Sequence, residues 1–93
     1  MCYQFAINTQ FKKDLKKLRK QGKDKNLLDG AMTKIINKHP LEAEYRNHPL
    51  KGNWIGSYDC HIQPDWVLIY TINNKNNTVV FERTGSHSEV LKK

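Results

Sequence analysis

The chain opens on alternation: Tyr3, Phe5 and Ile7 take every second position with Gln4, Ala6 and Asn8 between them, which predicts a strand with one buried face. The period then lengthens. Phe11, Leu15 and Leu18 recur at i, i+4 and i+7 after Thr9, a residue suited to cap a helix, while Lys12, Lys13, Lys16, Lys17 and Lys20 fall on the opposite side. Gly22 marks the end of that helix. A second helix opens near Asp24 and carries Leu27, Leu28, Ala31, Met32, Ile35 and Ile36, a stripe broad enough to meet both the first helix and a sheet, until Pro40 stops it. The short link over residues 22–24 makes the pair an antiparallel helical hairpin.

Residues 39–53, with Pro40, Pro49 and Gly52, read as a loop, and residues 54–62, 66–72 and 78–84 read as three strands. The Asn-rich stretch 73–77 is a polar hairpin turn between the last two. Residues 66–72 are apolar on both faces, which places them at the centre of the sheet. Gly85 closes the final strand, and Ser86 caps a short helix or turn over residues 87–91. The order is strand, helix, helix, strand, strand, strand: an α+β class with an antiparallel run, expected as one domain over residues 1–93. There is no internal repeat, low-complexity segment or linker.

Length limits the chain to one small core, since 93 residues are too few for two. The longest apolar runs, such as residues 66–70, fall far short of the roughly 20 residues that span a bilayer, so no membrane segment is expected. The start, Met1-Cys2-Tyr3-Gln4-Phe5, shows no basic region, apolar core or cleavage site of a secretory signal, so cytoplasmic residence is expected, with Cys2 and Cys60 as unpaired thiols. Charge is lopsided. Residues 1–38 carry ten basic and three acidic side chains, whereas residues 39–93 carry six of each, so the whole net charge of +7 sits in the first part. Such a field attracts nucleic acid or an acidic protein partner; the plainer reading is a solvated lysine face.

The charge-neutral part holds the candidate chemistry: His48 after Asn47, His61 after Asp59-Cys60, and His87 after Gly85-Ser86. Strand parity puts His61 with Asp59 and Gln63 on a polar face and turns Cys60 toward the core as a structural thiol. Asp65, in the turn after that strand, is within reach of the strand ends, and Arg83 follows Val79 and Phe81 on one face where the last strand leaves the core. Taken singly, each has an ordinary surface explanation, as His39 does at a helix end. Together they offer proton carriers near pH 7, carboxylates to orient them and a guanidinium for a phosphate. Metal-free RNA cleavage needs that set: a base for the 2′-hydroxyl, an acid for the leaving 5′-oxygen and a cation for the phosphorane. A zinc site is disfavoured because no C-x-x-C or H-E-x-x-H pair is present and Cys60 and His61 point to opposite faces, so neither metal nor cofactor is expected. Trp54 and Trp66 read as core or cleft-edge residues, with base stacking open to Trp66.

Three segments carry a specific resemblance: Asn47-His48-Pro49-Leu50-Lys51-Gly52-Asn53-Trp54, the run from Asp59 through His61, Asp65 and Trp66 to Tyr70, and Arg83-Thr84-Gly85-Ser86-His87. They closely resemble the YafQ-type toxins of the RelE/ParE superfamily, over nearly the whole chain. The resemblance implies a bacterial type II toxin that is a ribosome-dependent mRNA endoribonuclease, cutting codons in the ribosomal A site and stopping translation. It implies a cognate DinJ-like antitoxin as partner, with operator DNA bound only through the complex. It makes His48, His61, Asp65 and His87 the catalytic set, with Asp59, Trp66, Arg83 and Lys51 binding substrate or supporting the scissile phosphate. The lysine face of the first helix is then a ribosome- or antitoxin-binding surface. Leu91 stands where some relatives carry an aromatic residue, with Lys92 and Lys93 beyond it, so no stacking role passes to Leu91. The alternatives are a ParE-like gyrase inhibitor, against which the histidine set argues, and a noncatalytic RNA- or antitoxin-binding module using the lysines alone.

Overall fold

A computed structural model describes residues 2–52 and 56–91. Its element order is β1 (Gln4–Ile7), α1 (Thr9–Lys20), α2 (Lys25–Ile36), a 3-10 turn (Ala43–Tyr45), β2 (His48–Pro49), β3 (Ser57–Gln63), β4 (Trp66–Asn73), β5 (Thr78–Ser86) and α3 (His87–Val90). Asn8, rather than Thr9, caps α1: its side chain accepts from the Phe11 N–H at 2.8 Å, leaving Thr9 as the first helical residue. Gly22 follows in the left-handed region at φ +74, where a side chain would be strained, and turns the chain toward Asp24, whose carboxylate caps α2.

The strands form one sheet in the order β1-β5-β4-β3-β2, with β1 parallel to β5 and every other neighbour antiparallel. The doubly apolar strand, β4, is central as its pattern required. Trp66, Leu68 and Tyr70 point to the helices and pack with Phe11, Leu18, Leu28, Ile35, Cys60, Val79 and Phe81. Val67 and Ile69 point the other way into a smaller cluster with Val90, Leu50 and Leu91. The alternation in β1 does not bury its apolar face as expected, because β1 is an edge strand: Phe5 remains 58% exposed, touching Phe81 only edge-on at 6.3 Å between ring centroids.

The expected loop 39–53 contains the 3-10 turn and the two-residue β2, which pairs His48 with Asp59 and Pro49 with Tyr58. A strand this short, containing a proline with no N–H to donate, leaves no period to read. The strand expected from residue 54 is seen from Ser57; Trp54 lies outside the described residues, as do Lys92 and Lys93. β5 runs past Gly85 to Ser86, and a register shift at Ile69/Tyr70 sets Phe81 opposite Tyr70 but Arg83 opposite Ile69. That irregularity breaks the parity by which Arg83 shared a face with Phe81. No helix among the described residues is long and apolar enough to cross a membrane.

Candidate active site

The sheet face turned away from α1 and α2 gathers three histidines from three elements. β2 brings His48 opposite Asp59 of β3; His61 lies two residues further along the same face of β3; and α3 brings His87, whose ring stacks on that of His61 at 6.1 Å and 23°. α3 has four residues and needs help to exist. Ser86 supplies it as N-cap, accepting from the Glu89 N–H at 3.3 Å while its hydroxyl donates to Glu89 Oε1 at 2.9 Å. Lys17 of α1 pairs with the same carboxylate, and Val90 is buried in the small cluster below. Gly85, at φ +153, gives room for this: a Cβ there would lie 3.2 Å from Val90 Cγ1.

Asp59 is the electrostatic centre. It is fully buried, and neither carboxylate oxygen has a hydrogen-bond partner among the described residues. Burial pushes its carboxyl above the ordinary range, a tendency opposed by the nearby His48, His61 and His87. His48 Nδ1 lies 3.0 Å from Asp59 Oδ1 and 2.8 Å from the Arg46 carbonyl oxygen, to which it is hydrogen-bonded. A carbonyl only accepts, so this contact is made by an Nδ1–H and leaves Nε2 as the ring nitrogen free of that bond. Any positive charge on the ring would lie beside the buried Asp59 carboxylate, with Nδ1 3.0 Å from Oδ1. Cys60, one position over, faces the core; burial and the Asp59 charge push its thiol up to about 12, so it stays protonated and inert.

The other residues singled out in the sequence are more scattered. Asp65 is exposed in the β3–β4 turn and shares a surface cavity with Ser86, the neighbour of His87. Lys51 is exposed after β2. Trp66 is not with the histidines: it faces the helices, is 1% exposed, and donates its indole N–H to Thr84 Oγ1 at 2.9 Å, so as placed it offers no face to a base. Arg83 is claimed by Asp14 of α1, Nε donating to Oδ2 at 2.8 Å and Nη2 to Oδ1 at 3.3 Å, while the Thr84 N–H also donates to Asp14. Sequence reasoning missed Asp14, a lone carboxylate in a lysine helix, although that isolation was the available signal. It also missed Arg46, in the left-handed region at φ +47, and Asn47 as participants. Lys12, Lys13, Lys16, Lys17 and Lys20 are all exposed on α1. Among the described residues, no three His, Cys, Asp or Glu side chains are grouped to hold a metal ion.

Residues 3–92 match the family model described as the bacterial toxin of a type II toxin-antitoxin system, YafQ. The chain belongs to the YafQ toxin family. It is 48% identical over 83 residues to the mRNA interferase toxin YafQ of Escherichia coli K12, covering 88% of each protein. YafQ in the crystal structure of the E. coli DinJ-YafQ toxin-antitoxin complex superposes with a TM-score of 0.87 at 42% identity, covering 97% of this chain and 98% of that one. A metal-bound toxin from Helicobacter pylori superposes at 0.89 with 39% identity, covering 97% and 99%. The mixed α+β architecture of this YafQ-family toxin is thus shared by solved relatives, and the resemblance read from its three segments holds.

Proposed function

We propose that this YafQ-family toxin is a ribosome-dependent mRNA endoribonuclease that cleaves A-site codons by histidine acid–base chemistry and is neutralised by a DinJ-like antitoxin in the cytoplasm. The observation that carries the reading is the convergence of His48, His61 and His87 around the buried Asp59 carboxylate. His48 Nε2 takes the 2′-hydroxyl proton as O2′ bonds to phosphorus, and His87 gives a proton to O5′ as the P–O5′ bond breaks. His61 and Asp65 serve as positioning groups, and the cations of protonated His61 and Lys51 balance the charge on the phosphate. Proton transfer through these groups needs no metal at the chemical step, and the names of the E. coli relatives support the mRNA target and the antitoxin.

The test is expression in bacteria with mapping of mRNA 5′ ends and plasmid topology in parallel. Cuts in frame with codons are expected. Relaxed plasmid without cuts would favour gyrase inhibition, and growth arrest with neither would favour a binding module. Purified toxin is expected to cleave on programmed ribosomes without stoichiometric bound metal. Bound metal lost together with activity in His61→Ala would overturn that part, and the metal-bound H. pylori relative makes the measurement pointed.

A further inference from the structure

Residues 46–48 hold the base from two sides. The Arg46 carbonyl fixes the His48 ring, but the strand that carries the ring is two residues long and includes Pro49, so its backbone ladder is thin. The next residue back supplies the missing attachment. Asn47 uses both hydrogens of its side-chain amide: Nδ2 donates to the Asp59 carbonyl oxygen at 3.0 Å and to the Tyr70 phenol oxygen at 2.6 Å. Tyr70 is a firm post, 3% exposed on the central strand and stacked on Tyr58 at 5.7 Å. Burial keeps its phenol neutral through any physiological pH, so the contact is constant. One amide therefore ties the residue before His48 to the backbone of its carboxylate neighbour and to the core.

Resting on His48 as the base, we propose that Asn47 is a positioning residue that sets the His48–Asp59 geometry and holds His48 in its Nδ1–H form. Without the amide, β2 loses its side-chain anchor, the Arg46 carbonyl drifts with it, and the ring is free to exchange its proton to the other nitrogen. A ring protonated on Nε2 cannot act as the base there.

The experiment uses ¹⁵N NMR of the His48 ring in the free toxin, beside single-turnover cleavage and ribosome binding. In Asn47→Ala, the Nδ1–H fraction is expected to fall and cleavage to slow about tenfold, with ribosome affinity unchanged. Tyr70→Phe keeps the stacked ring and removes only the phenol oxygen; it is the control for folding and is expected to move both quantities the same way by less. An unchanged tautomer in both folded variants would overturn the proposal. A shifted tautomer with an unchanged rate would leave the positioning intact and sink the reading of His48 as base.

Discussion

The two faces of the sheet solve different problems with the same strands. On the helix face, β4 buries Trp66, Leu68 and Tyr70 against Phe11, Leu28 and Phe81, and the polar atoms there have partners: the Trp66 indole meets Thr84 and the Tyr70 phenol meets Asn47. On the other face, the apolar cluster shrinks to Val67, Ile69 and Val90, and beside it both Asp59 oxygens and His61 Nδ1 are buried with no hydrogen-bond partner among the described residues. A buried polar atom without a hydrogen bond costs stability, so a cluster of them is a place to look for a role other than stability. Stability is concentrated on one face and the proposed chemistry on the other, joined through β4.

The largest effect that separates the faces is a core deletion. Phe11 is fully buried, with its ring 6.0 Å from that of Phe81. Phe11→Ala is expected to cost about 3–5 kcal/mol, a large part of the whole stability of such a domain, and to lower Tm by more than about 12 °C. Half-exposed His48→Ala is expected to leave Tm nearly unchanged. Thermal unfolding of both variants makes the check, and equal losses would erase the division.

Next come the proposed proton carriers. Single-turnover cleavage is expected to fall by roughly 10²-fold or more in His48→Ala and in His87→Ala. The two differ in their remedy: a sulfur leaving atom at the scissile 5′ position needs no acid, so it should restore His87→Ala far more than His48→Ala. Rescue of His48→Ala instead would exchange the roles.

Asp59 gives the sharpest contrast because its two effects run in opposite directions. Its folded carboxyl titrates above the unfolded one, so as pH rises through the ordinary carboxylate range the unfolded chain ionises first and folding stability falls. Asp59→Asn removes that cost. The variant is expected to be more stable than wild type at pH 7–8, with the advantage vanishing below about pH 3.9, where the unfolded carboxyl is also protonated. Cleavage should drop roughly tenfold or more as the charge favouring the His48 imidazolium is removed. Denaturation across pH, paired with kinetics, decides it; a destabilised, active Asp59→Asn would make the carboxylate structural.

The same division governs what is legible in the sequence. Elements of the helix face are legible because burial imposes a period: 3.6 in α1 and α2, and a doubly apolar run in β4. Parity correctly turns Cys60 inward and His61 outward. Where a position depends on its neighbours in space, pattern is silent or misleading. Phe5 alternates perfectly yet lies on an edge strand, Arg83 follows a register shift, and the choice between Asn8 and Thr9 as cap turns on one dihedral. Asp59 reads as part of a polar strand face; its burial emerges only when β2 and α3 are set beside β3. The histidines themselves are legible as a set through the three quoted segments, whereas the tautomer of His48 rests on a backbone carbonyl that no pattern reveals.

The smallest expected effect concerns the exposed side of α1, away from both faces of the sheet. The exposed lysines of α1 are proposed to dock the toxin on ribosomal RNA or an acidic antitoxin segment, yet Lys17 alone also pairs with Glu89 of α3, the helix that carries His87. The two roles can be separated. Replacing Lys12, Lys13, Lys16 and Lys20 with Gln leaves that pair in place, so ribosome affinity should fall with a salt slope flatter by roughly 0.7–0.9 for each phosphate no longer neutralised, while the cleavage rate of bound toxin stays constant. Lys17→Gln should reverse the balance: little change in salt slope, and a cleavage rate lowered by no more than a few-fold, because an exposed pair contributes about 0–1 kcal/mol and Ser86 still caps α3. An unchanged slope in the fourfold variant would reduce the lysine face to a solvated surface. A slowed bound-state rate there would mean that docking and His87 placement are one function.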